Sequence, residues 1–232
     1  MTAATLRLVL DDIARAGWPA DLIAMTGDAV QDDTRRAYER VRDMLAPAGL
    51  PVHCVPGNHD VRPLMREVLS QAPFQYGGSV TLGNWLVAGV DSCVEGRPEG
   101  RVADAELDRL DALLGASRAE HVLIAMHHPP VPVGSRWLDE LMVQNGEAFL
   151  ARVAASGKVR AIIFGHAHQE FEGRRGPLAI VGTPSTCRQF RKGSDSFDVD
   201  DNPPAYRRLT LEPDGTVRSE LVWVPLTPPA PA

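Results

Sequence analysis

Residues 54–60 read CVPGNHD, which holds a histidine between an amide and a carboxylate directly after a Pro-Gly turn. Asn58, His59 and Asp60 are all metal-competent, and an imidazole in that position has little use in an ordinary turn. Three further stretches carry similar chemistry: TGD ending at Asp28, MHH with His127 and His128, and GHAH with His166 and His168. Residues two apart in an extended segment project to the same side, so His166 and His168 face one shared site. Gly165 before them lets the backbone approach closely. His127 and His128 precede two prolines, and the expectation is that one of the pair points into the site. Five of the seven histidines lie in these stretches. The other two, His53 and His121, stand at strand starts and are expected to be structural.

The elements that must position these residues read as helices and strands in alternation. TLRLVLDDIARAG, residues 5–17, predicts an amphipathic helix closed by glycine. DLIAMTGD predicts a buried strand ending at Asp28. Asp32, Asp33 and Thr34 can cap a helix to about Leu45, and PVHCVPG follows as a second strand. VTLGNWLVAGVDS predicts a strand pair, ADAELDRLDALLGAS a helix, HVLIAMHHPP a strand and loop, and RWLDELMVQNGEAFLARVAAS one further helix. VRAIIFGHAH and PLAIVGT continue as strands, and a hairpin turns around Pro213, Asp214 and Gly215. This alternation implies a largely parallel sheet. The chemistry-bearing residues collect at the C-terminal ends of its strands, where open α/β sheets place their sites. No repeat or linker interrupts the pattern, so one domain is expected over 1–225, followed by a flexible Pro-rich tail at 226–232.

Bulk properties narrow the function classes. The 232 residues are 44% hydrophobic and 23% charged, ordinary for a folded soluble protein. A net charge of −6 without a basic stripe argues against a nucleic-acid partner. Three widely spaced cysteines, with no CxxC pair, indicate neither a disulfide framework nor a thiolate metal site and fit a cytoplasmic location. No apolar run approaches the ~20 residues of a membrane span, so no membrane partner is expected. The sequence leaves a homodimer open.

In chain order, Gly-Asp, Gly-Asn-His, a lone His and Gly-His-x-His resemble the calcineurin-like metallophosphoesterases. TGDAVQD, VPGNHD, MHHPP, FGHAHQ, GTPSTCRQF and DDNPPAYR are similar to the bacterial class III cyclic-nucleotide phosphodiesterases, over nearly the whole chain. The resemblance implies a layered α/β/β/α sandwich and a two-metal site. In it Asp28 bridges the metals, Asn58, His127 and His166 complete one shell, and His168 belongs to the other. Oxygen and imidazole donors without thiolate suit Mn²⁺, Fe or Zn²⁺. The implied reaction is attack of a metal-bound hydroxide on a 3′,5′-cyclic nucleotide such as cAMP, a small-molecule phosphodiester. His59 then protonates or stabilises the leaving alkoxide, and Asp60 orients that imidazole or supports the turn.

The family signature opens with an Asp-x-His block that supplies two ligands to the metal held by His168, and this block is absent here. Asp11-Asp12 is no substitute, because no histidine follows and only 15 residues separate Asp12 from Asp28. The expectation is a fold entered one strand late, through a misplaced start, a shortened chain or genuine loss. This form should then hold about one metal and turn over cAMP weakly. Two readings compete with cyclic-nucleotide hydrolysis: another phosphodiester or phosphomonoester substrate, and a protein that binds metal or phosphate without catalysis.

Overall fold

The computed structural model describes residues 2–226, which leaves nearly all of the expected Pro-rich tail outside the described residues. The chain opens with helix α1 (Thr2–Ala16), strand β1 (Ile23–Met25), helix α2 (Arg35–Leu45), strand β2 (Val52–Cys54), helix α3 (Arg62–Val68) and strand β3 (Phe74–Tyr76). Next come β4 (Ser79–Leu82), β5 (Trp85–Gly89), α4 (Asp104–Ala116), β6 (His121–Ala125), α5 (Arg136–Asp139), α6 (Gly146–Ala155) and β7 (Val159–Phe164). The last part contains β8 (Phe171–Arg175), β9 (Leu178–Gly182), β10 (Gln189–Phe190), β11 (Val199–Asp200), β12 (Ala205–Leu211) and β13 (Val217–Trp223).

Two sheets form the middle of the molecule. The larger runs β4-β5-β6-β7-β9-β8, with β5, β6, β7 and β9 parallel and the two edge strands antiparallel. The smaller is the parallel trio β1-β2-β3, accompanied by the β12-β13 hairpin. Strand alternation divides the apolar residues between layers. Leu86, Ala88, Ile124 and Ile162 face Leu110, Phe149 and Leu150 of α4 and α6. Their neighbours Trp85, Val87, Leu123 and Ile163 face Val55 and, from the hairpin, Leu209 and Val217. A third cluster packs Val52 and Cys54 under Tyr38 of α2 and Met65 of α3. Helix, sheet, sheet, helix is thus the layer order, as the family resemblance implies. Both faces of the larger sheet are covered, which explains its continuous apolar strands.

Local chemistry sets several boundaries. Thr34 caps α2, its hydroxyl accepting from Ala37 N–H at 3.3 Å. The predicted strand pair is β4 and β5, joined at Leu82 and Trp85, and the predicted hairpin around Asp214 is β12 and β13. The single helix expected over 136–156 is not formed. It breaks between Asp139 and Gly146, because the Asn145 side chain bonds both the N–H and the C=O of Val102 while Val143 bridges to Gly100. Helix α3 and strands β3, β8, β10 and β11 carry no assignment in the sequence reading. Most are two to five residues long, too short to show a periodicity of their own.

Candidate metal centre

The C-terminal ends of β1, β2, β6 and β7 deliver Asp28, Asn58, His127 and His166 to one point. Two glycines make this possible. A Cβ on Gly27 would stand 2.5 Å from His127 Nδ1 and 2.7 Å from Gly57 N, and one on Gly57 would overlap Asp28 itself. The two loops therefore meet backbone to backbone. Asp28, His166 and His168 adopt φ values of 52°, 54° and 49°, and they are the described non-glycine residues with positive φ. Each such conformation costs about 1–3 kcal/mol and persists where the surroundings over-determine it. All three occur at this site.

The donor atoms crowd together. His127 Nε2 lies 3.1 Å from Asn58 Oδ1, 3.3 Å from Asp28 Oδ2 and 3.1 Å from His166 Nδ1, and His166 Nδ1 is 3.0 Å from Asn58 Oδ1. His127 Nδ1 is 2.8 Å from the Thr26 carbonyl, which can only accept, so Nδ1 carries the proton and Nε2 presents its lone pair inward. Lone pairs of a carboxylate, an amide oxygen and imidazole nitrogens converge there and favour a positive charge at their centre, which a bound cation or a proton on His127 Nε2 can supply. Hard and borderline oxygen and nitrogen donors of this kind fit a divalent cation.

The electrostatics run the same way. Burial raises the Asp28 carboxyl, but the His127 ring and the His59 N–H outweigh it and hold the group well below its ordinary range. Burial also opposes a charge on His127, yet Asp28 carries its pKa above the ordinary value. Burial, reinforced by His127 and His128, pushes His166 well below the usual imidazole range and keeps it neutral. Its buried Nε2 has no hydrogen-bond partner.

His168 does not join this quartet by hydrogen bonding among the described residues. Its Nδ1 donates to the Arg188 carbonyl at 2.6 Å, leaving Nε2 as the acceptor, the arrangement also seen at His127. Burial lowers its pKa to about 4, so it too stands neutral. Of the histidine pair, His127 points inward. His128 lies beside His166, at a ring distance of 4.6 Å, but both its nitrogens are engaged, Nδ1 with Ser92 Oγ and Nε2 with the Pro98 carbonyl.

His59 is exposed. Its backbone N–H donates to Asp28 Oδ1 at 3.0 Å, and its ring stands outside the quartet with Nδ1 3.4 Å from Gln31 Nε2. Asp60 accepts from the Gly57 and Ala29 N–H groups and from the Tyr38 hydroxyl, so its carboxylate staples the turn to the loop after Asp28. Tyr38, which then accepts from Val61 N–H at 2.7 Å, has no counterpart in the sequence reading. Only its place on the buried face of α2 hints at it. The two orienting carbonyls, Thr26 and Arg188, are equally invisible, since every residue has one. His53 and His121 bond the Gly77 and Pro213 carbonyls, away from the quartet.

The calcineurin-like phosphoesterase profile matches residues 2–170, a span containing every residue of this centre. The chain belongs to that family. A relative from Pseudomonas aeruginosa, a 3′,5′-cyclic adenosine monophosphate phosphodiesterase CpdA, is 37% identical over 94% of this chain and 80% of its own length. The Escherichia coli K12 protein of the same description is 34% identical over 87% of this chain and 74% of its own. A dimetal phosphatase from Danio rerio shares the fold, with a TM-score of 0.65 at 16% identity over 96% of this chain and 89% of that one. The family member described here is therefore a metallophosphoesterase with a metal-competent quartet. No described helix is long and apolar enough to cross a membrane.

Proposed function

We propose that this metallophosphoesterase hydrolyses 3′,5′-cyclic nucleotides, cAMP among them, to 5′-nucleotides. The observation that carries the reading is the convergence of Asp28, Asn58, His127 and His166 in a chain whose relatives at 34–37% identity are cAMP phosphodiesterases. These four residues would hold a divalent ion, with His168 and the shared Asp28 as donors to a second. Bound there, Mn²⁺, Fe or Zn²⁺ supplies an activated water and charge to offset that on the phosphoryl oxygens. The chain's own residues do the rest. The quartet would hold the ion at a fixed point through pre-oriented lone pairs, so little reorganisation would accompany reaction. In forming a 5′-nucleotide the new bond joins phosphorus to the water oxygen, and the bond to O3′ breaks. The departing O3′ needs a proton, and His59 is the exposed imidazole next to the centre. The Gln31 amide lies beside Nδ1 at 3.4 Å, which leaves Nε2 as the ring atom free to face the departing oxygen. Asp60 and Tyr38 keep the turn carrying Asn58 and His59 in place.

The test compares two diesters on Mn²⁺-supplied protein: cAMP, with an alkoxide leaving group, and bis-(p-nitrophenyl) phosphate. Both need the same centre, so a low absolute rate leaves the comparison intact. Release of 5′-AMP from cAMP, abolished by Asp28→Ala, is expected. Hydrolysis of the artificial diester with none of any cyclic nucleotide would transfer the proposal to another phosphodiester.

A further inference from the structure

His168 begins a row of aromatic rings that leads away from the metal centre. Its imidazole stacks on Phe190 with ring centres 4.3 Å apart and planes within 2°. Phe190 meets Phe197 edge-on at 5.3 Å, and Trp137 meets both, at 5.2 Å and 5.5 Å. Phe197 is 63% exposed, the highest exposure of any large hydrophobic side chain among the described residues. A single exposed aromatic is unremarkable. This one is held on a fixed support. Residues 191–198 form the tip of the β10-β11 hairpin, closed by the Arg191–Asp198 ion pair at 2.5 Å and an Arg191 N–H to Asp198 carbonyl bond at 2.8 Å. Underneath, the wholly buried Ser135 hydroxyl accepts from Gly193 N–H, and the buried Gln169 amide donates to the Arg191 carbonyl. Trp137 is tied to the same tip through Nε1–H to Ser194 Oγ at 3.1 Å.

We infer that Phe197, on the platform of Phe190 and Trp137, stacks the nucleobase of the nucleotide whose phosphate sits at the metal centre. The inference rests on the cyclic-nucleotide reading and names the residue that would hold the base. A base is planar, polarisable and apolar on its faces, and an open ring on a rigid support binds it by stacking without selecting strongly among bases. The row starts at the second histidine of GHAH, two residues from His166, so a ligand anchored by phosphate at the quartet would meet it with its sugar and base.

Calorimetric titration of the Mn²⁺-supplied protein with 5′-AMP and with ribose 5-phosphate isolates the base. The expected result is that 5′-AMP binds at least about fivefold more tightly than ribose 5-phosphate. In Phe197→Ala this preference should collapse to within twofold while ribose 5-phosphate binds as before, and Phe197→Trp should restore it. Phe197 is exposed, so these variants are expected to fold. A preference for 5′-AMP retained in Phe197→Ala, alongside cAMP hydrolysis by the wild type, would overturn the platform alone. Equal binding of the two ligands by a wild type that spares all cyclic nucleotides would remove both readings. A sedimentation coefficient lowered by Phe197→Ala, with ligand preference unchanged, would assign the face to a second copy of the chain and overturn the base platform.

Discussion

At the residue scale the centre separates groups that hold charge from groups that shape. Asp28, Asn58, His127 and His166 offer lone pairs to a common point, whereas the His59 ring lies outside them and contributes to the centre only its backbone N–H. Replacing His59 by Ala should therefore leave metal content nearly unchanged and lower kcat for cAMP by about 10²–10⁴-fold, the usual cost of a lost general acid. Bis-(p-nitrophenyl) phosphate, whose leaving group needs no proton, should lose much less. Elemental analysis and the two rate constants decide the matter, and metal loss equal to that of Asp28→Ala would refute the role. Asp60 belongs with the shaping groups. Burial raises its pKa against the pull of the Gly57 and Ala29 N–H groups, and those bonds fasten two loops.

At the scale of elements, the site depends on how closely the β1 and β2 loops can approach. Gly57 has no room for a methyl group because the backbone and carboxylate of Asp28 occupy that space. Gly57→Ala should shift Asp28, lower stability by about 1–3 kcal/mol through overpacking, and weaken Mn²⁺ binding. Thermal unfolding with Mn²⁺ and with chelator separates the two effects: the Tm gain that Mn²⁺ gives the wild type should shrink in the variant. An undiminished gain would mean that the loops yield without disturbing the donors. The break between α5 and α6 belongs to the same scale. Asn145 gives both side-chain bonds to Val102 and none to the first turn of α6, so an apparently continuous helical stretch becomes two helices around a bridge to Gly100.

For the molecule as a whole, the count of donors predicts the metal stoichiometry of this chain. On the proposed assignment, one position would have four protein donors from four loops, while His168 and the shared Asp28 would serve the other. Two donors rarely hold a divalent ion tightly, since hydration must supply the remaining ligands and fixed geometry is lost. The purified 232-residue chain should retain about one metal per subunit after desalting, with slow cAMP turnover even in excess Mn²⁺. Elemental analysis beside the assay checks this. Two retained metals with rapid turnover would require ligands from a neighbouring subunit.

The sequence by itself determined which residue types stand at the ends of which strands, and hence the metal-competent donors and the family resemblance, which in turn implied the layer order. Those features survive without coordinates because strand periodicity and donor chemistry are properties of short segments. Only the tertiary structure decided between His127 and His128. Both follow β6, but Thr26 and Asn58 reach one ring while Ser92 and Pro98 engage the other. It also decided that Asp60 fastens the turn, that Tyr38 supports it, and that Phe190 and Phe197 extend from His168. In each case the partner lies tens of residues away or is a backbone carbonyl, or the element is too short to have a period of its own. Such contacts exist only once the chain has folded.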